Sequence, residues 1–294
     1  MKKTNHAVFC AVLAAALYAL NAPVSKLLLN YIPSTMMAGL LYLGAGTGMY
    51  LTEKFHRSKR EKPLTRQELP YTAAMVVLDI AAPVLLMIGL TTCSAANAAL
   101  LNNFEIVATS LIALFLFHET VSRRLWLAIV LVTVSSILLS VEDLSSFAFS
   151  RGSVFVLLAC VCWGFENNCT RMLSSKNPAQ IVVIKGFGSG LGALAAAWIV
   201  GERYFHVGYM AAALLLGFVS YGLSIYFYIY AQRELGAART STYYAIAPFI
   251  GASLSLLIFL ELPSPVFWLA LAIMAAGTYL ASTQEKCLPL DGCS

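Results

Sequence analysis

Long apolar runs of about twenty residues, separated by short polar breaks, occupy the chain from its start to residue 283. They fall near 6–29, 35–53, 69–90, 95–118, 123–141, 152–173, 179–200, 207–231, 237–260 and 265–283. A run of this length is what an α-helix needs to cross the hydrocarbon core of a bilayer. Apolar and polar residues do not alternate inside the runs, as they would in the shorter strands of a membrane barrel. The pattern therefore predicts ten transmembrane helices. The breaks carry helix-stop and helix-start chemistry at Pro33-Ser34, Asn177-Pro178, Gly236 and Pro263-Ser264-Pro265. Ser122 and Ser264 are placed to cap the fifth and tenth helices, with Pro265 at the first helical position.

The ten runs are two sets of five. Tyr18 to Pro33 aligns with Trp163 to Pro178 at an offset of 145, which matches Lys26 to Arg171 and Pro33 to Pro178. Ser94 to Leu138 aligns with Gly236 to Leu280 at an offset of 142, which matches Ala95 to Ala237, Glu119 to Glu261 and Trp126 to Trp268. Self-similarity of this kind marks internal repeats. The expected division is a first five-helix repeat over 1–143, a connecting loop over 144–151, and a second repeat with a short tail over 152–294. Five is an odd number, so the second repeat enters the bilayer from the opposite side. The predicted fold is an all-α integral membrane protein with ten transmembrane helices in two inverted repeats.

Composition agrees with a lipid solvent. The chain is 60% hydrophobic and 11% charged, with a mean hydropathy of +0.78, too little polar surface to coat a globule of this size in water. Its formal charge of +5 lies mostly in loops, so the sequence suggests topogenic charge and no nucleic-acid surface. If the N-terminus is cytoplasmic, the inner segments hold Lys2, Lys3, Lys54, Arg57, Lys59, Arg60, Lys62, Arg66, Arg123, Arg124, Arg171, Lys176, Arg233, Arg239 and Lys286. The outer side then holds only Lys26, Arg151 and Arg203. This positive-inside bias puts both termini in the cytoplasm and the protein in an inner or plasma membrane. The first run has a counterpart at 152–173, so it is expected to be a retained helix rather than a cleaved signal. The cysteines read as small hydrophobes within spans, or as reduced thiols at Cys287 and Cys293. Cys160-x-Cys162 is too tight for a zinc pattern. No metal and no cofactor are expected.

The pattern Tyr18-Ala19-Leu20-Asn21…Lys26 and its partner Trp163-Gly164-Phe165-Glu166-Asn167…Arg171 resemble the first-helix motifs of the drug/metabolite transporter superfamily, in its ten-helix EamA type. Phe104-Glu105-Ile106 with Phe117-His118-Glu119, and Ala247-Pro248 with Leu260-Glu261, resemble that family's fourth and ninth helices, which typically contain a proline and end in Gly-Glu. Here Ile106 replaces the proline, and His118 and Leu260 replace the glycine. The resemblance implies alternating access through a central cavity lined mainly by helices one, three, four, six, eight and nine, with export favoured. It leaves the solute open.

Four ionisable residues fall near mid-membrane: Asp79, Glu105, Glu166 and Lys185. A charge there is expensive, by at least ~2.5–3.5 kcal/mol on insertion scales, and normally faces a partner or a cavity. Depth predicts a structural ion pair between Glu166 and Lys185 on neighbouring antiparallel helices. Asp79 and Glu105 have no basic partner visible in the sequence, so each is a candidate for binding a cationic group or a coupling proton. Tyr18, Trp163, Tyr226 and Tyr243 supply aromatic faces that suit an ammonium group through cation–π attraction, or an aromatic solute. Asn21 and Asn102 are amides in or near spans. Asn21 is the repeat equivalent of Glu166, and Pro23 just after it would free backbone carbonyls. Glycines in Gly44-x-x-x-Gly48 and at 186, 188, 190 and 192 point to close packing of the second and seventh helices.

These readings converge on a secondary transporter of a small amine-bearing metabolite, an amino acid or organic cation, with proton coupling through one of the carboxylates. It would act in the lipid bilayer as a monomer or weak homodimer. An uncoupled facilitator or importer of an aromatic, neutral or quaternary-amine solute is the alternative. An intramembrane enzyme is disfavoured, because no Ser/His pair or His-rich metal motif is present.

Overall fold

The computed structural model of the chain describes residues 2–55, 64–118, 121–143, 148–173, 176–235, 240 and 243–282. Glu119, Gly236, Arg239, Cys287, Cys293, Lys286 and most of the 54–68 loop, including Arg57, Lys59, Arg60 and Lys62, lie outside them.

The first span is α1 (Lys2–Ala19) followed by α2 (Asn21–Leu28), and the second is α3 (Ser34–Phe55). A 3-10 turn at Arg66–Glu68 leads into the third, α4 (Leu69–Thr92). The fourth is α5 (Ala95–Leu101) with α6 (Phe104–Phe117), and the fifth is α7 (Arg123–Ser140). The sixth and seventh are α8 (Arg151–Met172) and α9 (Pro178–Ile199). The eighth joins α10 (Val207–Gly217) to α11 (Ser224–Leu235) through a π-helical stretch, Phe218–Leu223. The ninth contains α12 (Ala247–Phe259), and the tenth is α13 (Pro265–Ser282). The only strands among the described residues are the short antiparallel pair Val141–Asp143 and Ala148–Phe149, in the connector between the repeats.

Side-chain caps start several helices. Ser122 accepts from Leu125 N at 3.2 Å, Ser264 from Phe267 N at 3.2 Å, and Asn177 from Ala179 N at 2.9 Å. Eight spans are long and apolar enough to cross a bilayer by length and hydropathy, and two depart from that simple pattern. α12 is short because the chain turns just before it. α3 has 22 residues, ample length, but its glycines and tyrosines dilute its hydropathy. The glycines serve packing instead: a Cβ on Gly186 of α9 would sit 2.4 Å from Gly46 Cα of α3, so the two backbones touch where any side chain would separate them.

The packing obeys a half-turn that exchanges the repeats. Span two packs on seven, four on nine, and five on ten, each against its own counterpart. Span one packs on eight, and the exchanged pair, six on three, is also in contact. One on nine likewise matches six on four, and two on eight matches seven on three. This pairing is the spatial form of the offset found in the sequence, and with five spans in each half it makes the repeats inverted.

Polar ties fasten the ends. At the face that carries the N-terminus, Lys176 Nζ lies 2.9 Å from Glu68 Oε1, and Leu64 N donates to Gln180 Oε1 at 3.0 Å. At the opposite face, Glu202 accepts from Met36 N at 2.8 Å and Thr35 N at 3.3 Å, which places a carboxylate on the donor end of α3. Lys26 donates to the carbonyls of Leu90, Thr91 and Cys93, the acceptor end of α4.

Candidate functional site

Irregular backbone gathers at the centre. Span one breaks at Leu20, between α1 and α2, and Pro23 has no N–H to give the Ala19 carbonyl four residues before it. Asn21 therefore follows the break directly. Span three carries Pro83 inside α4, four residues after Asp79. Span four turns at Asn102–Asn103 and span nine at Ala245–Ile246, within one residue of equivalent places in the two repeats at the offset of 142. Span eight widens into the π-helical stretch that holds Tyr221. In a bilayer, broken backbone persists only where protein or a polar cavity satisfies it. Spans two, five, seven and ten, whose main partners are their own counterparts, are single uninterrupted helices.

A charged knot lies between α4, α8 and α9. Lys185 Nζ sits 3.0 Å from Glu166 Oε1 and 3.1 Å from Asp79 Oδ2. Asp79, expected to lack a basic partner, thus shares the ammonium that the sequence pairs with Glu166 alone. The sequence hides this because the third and seventh spans meet only through the fold. Asp79 Oδ2 meets the lysine as an ion and has no directed hydrogen bond, whereas its Oδ1 accepts from Tyr42 Oη at 3.0 Å. Thr170 donates to Glu166. Asp79 is fully buried and Glu166 nearly so. A buried pair survives only where hydrogen bonds meet its remaining lone pairs, and Tyr42 and Thr170 supply them here.

The exchanged joint, between spans one and eight, carries no charge. Asn21 Nδ2 donates to Tyr221 Oη at 3.0 Å, and Ser25 Oγ donates to Asn21 Oδ1 at 3.1 Å. Tyr42 connects the two joints, its ring centroid 5.2 Å from that of Tyr221. Tyr18 extends the aromatic wall, 6.0 Å from Tyr221 and 5.9 Å from Tyr244. Glu105, in the first turn of α6, accepts from Asn167 Nδ2 at 2.5 Å.

Beside this network, a small crevice opens at the breaks of spans one, four and nine. Tyr18, Ala19, Asn21, Asn102, Pro248 and Gly251 are among its lining residues. Of the residues singled out from sequence, Tyr18, Asn21 and Asn102 line it, while Asp79, Glu166 and Lys185 form the knot. Trp163 is buried in the main core. Tyr226 is 41% exposed and meets the ring of Phe227, and Tyr243 packs against the separate small cluster of Cys10, Ala11 and Ala231. A 3.6-residue repeat spreads the tyrosines of α11 around the helix, so only some can face inward. Sequence reading missed Tyr42, Thr170 and Thr109, whose Oγ1 accepts from Asn167 Nδ2 at 3.4 Å. A tyrosine in the middle of glycine-rich α3 was the available signal for the first.

A multi-pass helical bundle with two exchanged repeats, broken helices and a polar interior defines a membrane transporter. The chain belongs to the EamA-like transporter family, whose model it matches over residues 5–141 and 150–283, one match for each repeat. It is similar to an uncharacterized transporter of Methanothermobacter thermautotrophicus, 22% identical over 287 residues that cover 91% of this chain and 83% of that protein. A solved crystal structure, 14% identical, superimposes with a TM-score of 0.67 over 94% of this chain and 97% of the other and shares its fold.

Proposed function

We propose that this transporter moves a small amine-bearing solute, an amino acid or organic cation, by alternating access, and that a proton exchanged at the central carboxylates couples the movement. Export is the direction favoured by family resemblance. The observation that carries this reading is the charge balance at the centre: Asp79 and Glu166 share one lysine, Lys185, while Glu105 is held by the neutral amide of Asn167. A surplus of carboxylates in a low-dielectric interior is relieved by a bound cation or by protons. An ammonium solute and a proton can then occupy the centre in turn, which is the requirement for exchange. Aromatic faces at Tyr18, Tyr221 and Tyr244 favour a cation beside them.

The test is uptake of labelled amino acids and organic cations by the purified protein in liposomes, with and without an imposed pH gradient. Accumulation against the solute gradient is expected only when the pH gradient is present, and Glu105→Gln should abolish the accumulation while sparing counterflow. Equal flux with and without the gradient would leave an uncoupled facilitator, and preference for neutral solutes would remove the amine.

A further inference from the structure

We propose that the crevice at the three helix breaks is a built site for one primary ammonium group, held by Asn102 Oδ1 and the Ala19 carbonyl. The inference rests on the transporter reading above and assigns the atoms that would take the solute's amine.

Asn102 is 8% exposed, lines the crevice, and its Oδ1 has no hydrogen-bond partner among the described residues. A buried amide oxygen left unpaired is unfavourable, so the position calls for a donor. The Ala19 carbonyl is the second acceptor, since its usual helical donor is the missing N–H of Pro23. It faces the crevice wall: a Cβ on Gly251 would lie 3.2 Å from Ala19 O and 3.3 Å from Ala99 Cβ. Pro248 removes the equivalent donor from the Tyr244 carbonyl on span nine, so each side of the crevice has a proline that exposes an acceptor.

The remaining walls select the ligand. Ala22, Ala99 and Ala247 present methyl groups, Gly251 presents none, and Tyr18 presents a ring. The space holds about one water-sized group, which matches an –NH3+ head. A sodium ion needs a shell of several oxygens, as hard cations do, and these walls offer methyls instead. An ammonium needs only a few acceptors and gains from the ring. Glu105 follows three residues after Asn102 on the same span, outside the residues that line the crevice. The sites for the two cations are therefore adjacent: the ammonium at the breaks, and the proton among the carboxylates.

The experiment titrates full-length purified protein with methylammonium chloride and follows its melting temperature, with sodium chloride at matched ionic strength as the comparison. Saturable stabilisation by methylammonium and none by sodium is expected, because a ligand that binds only the folded state raises its melting temperature. Asn102→Leu should weaken binding about tenfold or more by removing a charge-assisted hydrogen bond, and Asn102→Asp should tighten it about tenfold. Gly251→Val, which leaves every polar group in place and fills the space, should abolish it. No methylammonium effect, an effect indifferent to these substitutions, or a sodium effect that depends on Asn102 would overturn the assignment. If Asn102→Leu does not fold, Asn102→Asp and Gly251→Val decide by moving affinity in opposite directions. Counterflow in liposomes separates the two readings. Flux in a protein with no methylammonium site sinks the site alone, and binding without any flux sinks the transporter reading alone.

Discussion

Lys185 neutralises two carboxylates at once, and this fixes what its loss does. Lys185→Met leaves Asp79 and Glu166 buried side by side without a counter-charge. Breaking a buried pair in this way costs about 3–5 kcal/mol. The melting temperature in detergent should fall accordingly, Lys185→Arg should recover part of it, and Lys185→Met combined with Asp79→Asn should be milder than Lys185→Met alone. A double mutant no more stable than the single would mean that Asp79 is not part of the knot. The residue scale is also where the sequence was least legible. Depth counting sufficed to suggest that Glu166 and Lys185 could meet, because their spans are consecutive. The meeting of Asp79 with Lys185 depends on how distant spans pack, and nothing in the local pattern records it. Tyr226 shows the converse: it shares a span with Tyr221, yet its ring contact is with Phe227 rather than with Tyr18 or Tyr42.

At the scale of elements, the distinction that matters is between continuous and interrupted helices. Pro23→Ala restores a donor to the Ala19 carbonyl and allows α1 and α2 to run as one helix. A proline in a helix interior is unfavourable by about 3 kcal/mol relative to alanine, so some stability should be regained. The expected outcome is a higher melting temperature together with weaker methylammonium binding, measured on the same preparation. A rise in both would show that the break is an incidental kink. Helix ends were legible because their chemistry is local: Ser122 and Ser264 cap where the sequence says they should, and the Asn177-Pro178 break is a helix start that Asn177 caps. The breaks at Asn102–Asn103 and Ala245–Ile246 were not, since the first has no proline and the apolar run continues through both. The second span was found by its length and repeat position, although its hydropathy is reduced by the glycines that let it touch the seventh.

At the scale of the whole molecule, α3 and α9 are the seam between the repeats. The Gly46–Gly186 contact leaves no room for a side chain, so Gly186→Leu should force the halves apart at their shared axis. Overpacking a close contact typically costs about 1–3 kcal/mol, and more where backbone must move. The expected result is a lower yield of folded protein and an earlier melt, by size-exclusion and thermal shift. Gly201→Leu meets open space, so any smaller loss it shows reports the local strain of its φ of +82° and not packing between the halves. The two-repeat architecture was the most legible feature of all, since the offsets of 145 and 142 survive in the order of landmarks such as Lys26 with Arg171 and Trp126 with Trp268.

The half-turn that exchanges the repeats has one further consequence. A perfectly symmetric machine would spend equal time open to either side, because each arrangement would be the mirror of the other in energy. Here one joint is ionic, Asp79–Lys185–Glu166, and its twin is a neutral amide–phenol contact, Asn21–Tyr221. Opening the first separates charges in a poor dielectric, and opening the second separates only dipoles. Unequal joints give the two open arrangements unequal energies, and a proton taken up by Asp79 or Glu166 would narrow that gap by weakening the ionic joint.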